Sequence, residues 1–177
     1  TRPRRFCQHS AVDALLEQTA RVARDSGVSF RAEIDIPADI PLPGVELCAV
    51  FSNLLDNALN ACAKTPDGER RVETTARLWG MYLVIDVENS CPGSQGWGRV
   101  AAVAASDDAG RERTDGAPNP FPDLSVPHGW GQGIVREVAR RHDGTFEAGQ
   151  VDGVYRVRVI LKQDRAAQGG GDGEWSR

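Results

Sequence analysis

The sequence predicts a two-layer α/β sandwich, with a mixed, mostly antiparallel sheet of about five strands and three helices on one face. Segments with helical periodicity are interspersed with strand-like runs along the 177 residues. Four of these runs form two pairs that are joined by glycine-containing turns, which is typical of antiparallel hairpins. The three helices can all lie on one side of such a sheet, so the pattern favours this architecture over a doubly wound parallel sheet.

The first helix is predicted in VDALLEQTARVARD, with Ser10 as a candidate N-cap and Ser26-Gly27 at the helix end. The run VSFRAEIDI follows, and its apolar and polar residues alternate as in a strand with one covered face. A proline-rich connection, PADIPLPG, then leads to the second helix.

The second helix contains FSNLLDNALNACAK, in which asparagine side chains lie within a helical pattern of apolar residues. Asn53 and Asn57 are four residues apart, so they share one face of the helix and direct their amides to the same place. A solvated polar face is one explanation for this pair, and an amide-lined polar site is the other. The predicted core-facing stripe consists of Leu47, Phe51, Leu54, Leu55, Ala58 and Cys62.

The remaining elements are two hairpins and a short helix. RRVETTARLWG and MYLVIDVEN pair about Gly80, and TFEAGQVDGVYRVRVILK pairs about Asp152-Gly153. Between the hairpins, residues 90–128 show little periodicity, as expected of a disordered segment or a functional lid. HGWGQG then leads into the helix IVREVARRH. We expect one domain over residues 1–163 and a disordered, Gly-rich tail over residues 164–177.

Composition limits the function. Acidic residues outnumber basic ones, with a formal charge of -4, so the electrostatic footprint of a nucleic-acid-binding protein is missing. No apolar run is long enough for a membrane helix, and the sole Met is Met81, so we expect a fragment of a longer protein. The four cysteines form no C-x-x-C pair, which indicates reduced thiols rather than a zinc or redox motif.

Glycines dominate the start of the third helix. Gly129, Gly131 and Gly133 allow close backbone approach where the first helical N–H groups are unpaired, and such groups can hold a phosphate. A flexible joint is the alternative. The cluster lacks the Lys-Ser/Thr of a P-loop and the preceding parallel strand of a Rossmann fingerprint.

A polar residue ends the second strand of the first hairpin. In VIDVENSCPG, Asn89 stands at the strand exit, and Gly93 lets a flat ring approach. Such a side chain could accept a hydrogen bond from an adenine amino group, although the segment alone is also compatible with a simple turn.

Taken in order, FSNLLDNALNACAK, VIDVENSCPG and HGWGQGIVREVARRHDG resemble the N box and the two glycine boxes of the ATP-binding domain of sensor histidine kinases, within the wider GHKL ATPase family. RFCQHSAVDALLEQTARVARDSGVSF looks like the opening of this domain in the peptide-sensing subgroup related to the quorum-sensing kinases of Gram-positive bacteria. The resemblance extends from Phe6 to about Leu161 and implies a Bergerat fold.

The resemblance also implies a site for ATP and Mg²⁺. Asn57 would ligate Mg²⁺ through its amide oxygen, Asn53 would face the phosphates, and residues 90–128 would form the ATP lid. Related topoisomerase and chaperone ATPases have a Glu at the position of Asn53, and an amide cannot replace that general base, so we expect slow hydrolysis. The implied nucleotide-binding residues are Asn53, Asn57, Asn89, Gly93, His128, Gly129, Gly131 and Gly133.

The sequence departs from the family pattern at three places. Asn89 replaces the usual Asp, and Cys91 replaces the first glycine of that box, which should weaken adenine binding. Gln132 stands where a Leu is usual, so we expect altered lid packing. No basic residue directly precedes the second glycine box, and Arg111 or Arg113 would have to contact the phosphates instead.

None of the three histidines, His9, His128 and His142, fits the phosphoacceptor of this family, so we expect the acceptor upstream, and no catalytic residue is assigned in the fragment. The implied partners are the protein's own dimerisation domain and a response regulator. The implied location is the cytoplasmic part of a homodimeric, membrane-anchored kinase. The alternatives are a serine kinase of the anti-sigma-factor type and a degenerate, non-catalytic interaction module.

Overall fold

The computed structural model describes residues 5–66, 68–91, 130–151 and 153–163. The expected tail and nearly all of the expected lid lie outside these residues. The predicted order of three helices and five strands is confirmed. The elements are α1 (Ser10–Asp25), β1 (Ser29–Ile34), α2 (Gly44–Cys62), β2 (Arg71–Trp79), β3 (Tyr82–Ser90), α3 (Trp130–Arg141), β4 (Thr145–Val151) and β5 (Val154–Lys162).

The five strands form one mixed sheet in the order β1-β2-β3-β5-β4. The edge strand β1 is parallel to β2, because α2 carries the chain across between them, and every other pair is antiparallel. Both predicted hairpins form. Gly80 and Gly153 have φ values of 59° and 74°, which glycine adopts without steric cost.

The three helices cover one face of the sheet, with α2 in the centre between α1 and α3. All six residues of the predicted stripe on α2 are buried, as are the neighbouring Val50 and Leu59. Full burial of a Leu or Phe side chain contributes about 1.5–3 kcal/mol, so α2 is the main source of core energy in this layer. The predicted two-layer α/β sandwich is therefore confirmed.

The opposite face of the sheet is charged. The Arg158 guanidinium donates to both oxygens of Asp86, at 2.7 and 3.1 Å, across β5 and β3. Arg156 donates to Glu88 at 2.7 Å in the same way. Cross-strand pairs of opposite charge stabilise a sheet modestly and keep its open face polar.

Two local predictions are wrong. The N-cap of α1 is His9, whose Nδ1 accepts from the Val12 backbone N–H at 3.4 Å, while Ser10 is already helical. The third helix begins at Trp130, four residues before the predicted Ile134, so Gly131 and Gly133 lie within its first turn.

Among the described residues, no helix combines the length and the apolar character that a membrane-spanning segment requires.

Gly144, between α3 and β4, lies close to the backbone of both α3 and β5. A Cβ at this position would lie 1.8 Å from the Ile160 carbonyl oxygen and 3.2 Å from the Ala139 carbonyl oxygen, both backbone atoms. We expect Gly144→Ala to lower the free energy of unfolding by about 1–3 kcal/mol or more in urea denaturation, because the backbone must move.

The matched control is Gly133→Ala, where a Cβ would meet no heavy atom within 4 Å. Because Ala is the better helix former, this change should be neutral or stabilise the protein by up to about 1 kcal/mol. Equal stabilities of the two variants would contradict the packing described for Gly144.

Candidate nucleotide-binding site

The amides of α2 form the first part of the site. The Asn53 Nδ2 donates to the Ala49 carbonyl at 2.6 Å, and its Oδ1 accepts no hydrogen bond from any other described residue. Asn57, one turn later, is exposed and makes no hydrogen bond within the described part of the chain. Asn53 is thus held in one orientation by its own helix, whereas Asn57 presents its amide to solvent.

Asn53 and the start of α3 are in very close contact. A Cβ on Gly131 would lie 2.6 Å from the Asn53 Oδ1, a distance that real Cβ atoms do not tolerate. A side chain at position 131 would require the Asn53 amide to turn away, and glycine leaves that amide in place. The structure brings together two of the residues that the sequence assigned to phosphate binding.

The start of α3 has the electrostatic character of an anion site. Gly131 and Gly133 place no side chain over the backbone of its first turn, and no acidic side chain lies in that turn. Arg140 and Arg141 lie in the last turn, where cations are favoured by the helix dipole. The first N–H groups of a helix have no partner within the helix and suit a phosphate. Gly93, His128 and Gly129 lie outside the described residues.

Asn89 forms the second part of the site. It is buried near the end of β3, and its Nδ2 donates to the Ser90 carbonyl at 2.9 Å. This bond engages the amide nitrogen, so the Oδ1 remains the acceptor that an exocyclic amino group would need. An Asp carboxylate at this position could not donate this bond to the Ser90 carbonyl.

Tyr155 is a site candidate that the sequence analysis missed. It pairs with Asn89 across β5 and β3, so both side chains lie on the helix-covered face at the same end of the sheet. The Gln132 Nε2 lies 3.5 Å from the Tyr155 hydroxyl, so Gln132 contacts the sheet through this residue. Burial raises the pKa of Tyr155, and the hydroxyl stays protonated at neutral pH. Only the register of the second hairpin against β3 could have identified it.

A second polar group lies near Asn89. The Thr74 hydroxyl is buried and has no hydrogen-bond partner among the described residues. Thr74 pairs with Val87, so it lies on the covered face two register pairs further into the sheet than Asn89. The helix-covered face therefore contains a second buried polar side chain, Thr74, in addition to Asn89.

Cys62 links the end of α2 to the end of β3. Its Sγ lies 3.3 Å from the Arg71 carbonyl oxygen and 3.5 Å from the Ser90 Oγ. Asn57 is positioned on α2 between this contact and the contact of Asn53 with α3. The site therefore lies along α2, between α3 on one side and the end of β3 on the other. No hydrogen bond among the described residues joins Asn57 to Asn89.

The far end of α3 is fixed to the far end of α2. The His142 Nε2 lies 2.5 Å from a Glu46 carboxylate oxygen, and Arg141 pairs with the other oxygen of the same carboxylate. The Lys162 backbone N–H also donates to the His142 carbonyl at 2.9 Å. The position of α3 against the sheet is therefore set outside the site.

The residues present fit a magnesium-bound nucleotide. Asn57 offers a neutral hard oxygen of the type that Mg²⁺ accepts, and it has no competing partner among the described residues. The glycine-containing start of α3 suits phosphates, and the Asn89 Oδ1 suits an adenine amino group. The described residues thus supply candidate groups for the metal ion, the phosphates and the adenine of Mg-ATP.

The fold is similar to that of solved histidine kinases. The catalytic domain of the histidine kinase ThkA, in a nucleotide-free form, matches with a TM-score of 0.58 and 14% identity, covering 87% of this chain and 91% of that one. A histidine kinase from Burkholderia phymatum matches with a TM-score of 0.58 and 17% identity, covering 89% and 69% of the two chains. The histidine kinase AdeS from Acinetobacter baumannii matches with a TM-score of 0.53 and 15% identity, covering 86% and 65%.

At these identities the similarity shows a shared fold. No curated protein matches the sequence. A family model described as GHKL domain matches residues 42–162, which is more than half of the chain and includes α2, α3 and the whole antiparallel part of the sheet. The chain therefore belongs to the GHKL domain family.

Proposed function

We propose that this chain is the catalytic, ATP-binding domain of a sensor histidine kinase, which binds Mg-ATP and donates the γ-phosphoryl group to a histidine on an upstream dimerisation domain. The observation that carries the proposal is the contact between Asn53 and Gly131, because it sets the uncovered start of α3 beside the amides of α2. Membership of the GHKL family and the fold shared with histidine kinases support it.

Each described residue has a distinct part in the proposal. Asn57 would hold Mg²⁺, Gly131 and Gly133 would let backbone N–H groups contact the phosphates, and Asn89 would accept from the adenine amino group. Bound Mg²⁺ supplies charge neutralisation on the phosphates. Catalysis by the chain itself then consists of positioning and of oriented backbone donors.

Asn53 also supports transfer to a protein rather than to water. Its amide has no basic group, and its Nδ2 is already engaged with the Ala49 carbonyl. Activation of water needs a general base within hydrogen-bond reach, and Asn53 cannot serve as one. We therefore propose that the domain retains the γ-phosphoryl group until the acceptor histidine arrives.

The partners and the location follow from the same proposal. The phosphoacceptor would lie on the protein's own dimerisation domain, and a response regulator would receive the phosphoryl group. The intact protein would be a homodimer that is anchored in the membrane, with this domain in the cytoplasm. The opening segment RFCQHSAVDALLEQTARVARDSGVSF supports assignment to the peptide-sensing subgroup.

Calorimetric titration with a non-hydrolysable ATP analogue and Mg²⁺ tests nucleotide binding. We expect binding to the parent protein and a loss of at least about tenfold in affinity for Asn57→Ala, equivalent to about 1.4 kcal/mol, because one metal ligand is removed. Asn60→Ala is the matched control. Asn60 is the same type of residue one turn later on α2 and has no assigned role, so this change should leave affinity unchanged.

Absence of binding at millimolar nucleotide would refute the kinase proposal. It would instead favour a non-catalytic interaction module, which the departures from the family pattern at Asn89 and Cys91 suggest as the alternative. With the longer protein, an acid-labile phosphate on an upstream histidine is the expected product, whereas acid-stable phosphoserine on a partner would indicate a serine kinase of the same fold.

The contact between α2 and α3 can be tested without nucleotide. We expect Gly131→Ala to be less stable than Gly133→Ala by about 0.5–1.5 kcal/mol, because the new methyl group would overlap the Asn53 Oδ1 and displace that amide from its bond to the Ala49 carbonyl. The loss should be smaller when the same change is made in an Asn53→Ala background, where that side chain is absent. Strictly additive effects of the two changes in urea denaturation would contradict the contact.

A further inference from the structure

A cleft lies beside α1 and β1, away from the residues of the candidate nucleotide-binding site. Its volume of about 560 Å³ is within the range of about 300–1,000 Å³ that is typical of ligand sites. Phe6 and Phe30 line the cleft with their rings edge to face, at a centroid distance of 6.3 Å. Glu17, Arg21 and Arg24 line it from α1. The cleft therefore combines aromatic surface with charged groups.

The cleft lies on the outer flank of α1. Leu15 and Val22 are on the opposite flank of the helix from Glu17 and Arg24, and they pack against the hydrophobic core. In the helix layer α1 contacts α2, and in the sheet β1 is an edge strand. The flank that carries Glu17 and Arg24 therefore faces the free edge of β1.

The free edge of β1 offers unpaired main-chain groups. The Ser29 and Asp35 N–H groups donate to main-chain carbonyls on the β2 side, at 2.9 and 2.8 Å. Because alternate residues of a strand direct their main-chain groups to the same side, Phe30, Ala32 and Ile34 direct theirs away from β2. No residue of the described chain pairs with this side of β1. Such an edge can accept a further strand.

The charged groups of the cleft have a net positive charge, with two guanidinium groups against the single carboxylate of Glu17. Neither Arg21 nor Arg24 forms an ion pair with a carboxylate in the described parts of the chain, and the Arg21 Nε donates only to the Glu17 backbone carbonyl, at 3.4 Å. Arginine forms its strongest hydrogen bonds with carboxylates and phosphates. The cleft is therefore complementary to an acidic side chain.

We propose that the edge of β1 and this cleft bind an extended acidic segment of a partner protein, which adds a sixth strand to the sheet. The main chain of the segment would bond to the outward-facing groups of β1, and its alternate side chains would enter the cleft. There an acidic side chain would pair with Arg21 and Arg24, and an apolar one would pack on Phe6 and Phe30. This proposal does not depend on the proposed nucleotide site.

Two other occupants match fewer of these features. Symmetric pairing with a second copy through β1 would bring two cationic clefts to one joint edge, where they would repel each other. A small free acid would pair with the arginines but would leave the main-chain groups of β1 without partners. Only an extended peptide uses both the edge and the cleft.

The test uses the peptide acetyl-TETFTET-amide, which has the same pattern in both directions. Its Glu, Phe and Glu side chains share one face of a strand, and its threonines would lie beside the exposed Arg31 and Glu33 on the other face. We expect saturable binding in calorimetry, with a Kd below about 1 mM. The charge-reversed peptide acetyl-TKTFTKT-amide should bind at least about tenfold more weakly.

Amide hydrogen exchange locates the bound peptide. We expect exchange at Phe30, Ala32 and Ile34 to slow by at least about threefold, with no change in β4 at the other edge of the sheet. Ala32→Pro removes one outward N–H group and should weaken binding at least about tenfold. Proline is tolerated in an edge strand where the N–H faces solvent, and circular dichroism checks that the variant is folded.

A double variant, Arg21→Gln with Arg24→Gln, should weaken binding of the acidic peptide at least about tenfold. Arg77→Gln is the matched control, because Arg77 is an exposed arginine on β2 that does not line the cleft. It should leave the affinity unchanged.

Three results would overturn the proposal. The first is no binding of the acidic peptide at about 5 mM, or equal binding of both peptides. The second is binding without slower exchange at the outward amides of β1, which would indicate a site for small acids. The third is slower exchange at these amides without peptide, together with dimers in sedimentation, which would indicate a second copy as the occupant. None of these results bears on titration with the ATP analogue.

Discussion

The approach of α3 to α2 at Gly131 and Asn53 is the constraint on which the candidate site depends. The core stripe of α2 is packed against the sheet, so α2 cannot rotate without exposing buried apolar residues. The Asn53 amide is fixed by its bond to the Ala49 carbonyl. The start of α3 must therefore adapt to a rigid neighbour, and the absence of a side chain at Gly131 is what makes this possible.

The other end of α3 is held by charge. Glu46, in the first turn of α2, bonds to His142 and pairs with Arg141, and the His142 main chain bonds to β5. A carboxylate in the first turn of a helix is also favoured by the helix dipole. With the contact to Asn53 at one end and the bonds to Glu46 at the other, α3 is held against α2 at both ends. The direction of the backbone N–H groups at the start of α3 is therefore set by the packing of α3 against α2 and the sheet.

The sequence predicted the features that local pattern controls, and missed those that depend on distant contacts. The stripe on α2 follows helical periodicity, and the hairpins follow from Gly80 and Gly153, so both were predictable. The sequence predicted that Asn53 and Gly131 both face the phosphates, but it did not predict their direct contact. Tyr155 could not be assigned to the site, because its pairing with Asn89 requires the register between β3 and β5. These strands are separated in sequence by residues 91–153, so no local pattern fixes that register. The His9 cap depends on a side-chain orientation that no pattern encodes.

The end of β5 lies far from the candidate site. The Gln163 backbone N–H donates to the Met81 carbonyl at 2.7 Å, beside the turn between β2 and β3, whereas Asn89 lies at the opposite end of β3. Tyr82 and Asn89 are seven residue steps apart along β3, a distance of about 23 Å. The end of β5 and the candidate site are thus at opposite ends of the sheet. An affinity tag or fluorophore attached beyond Gln163 starts from the side away from the candidate site, which makes this position suitable for immobilising the domain during binding measurements.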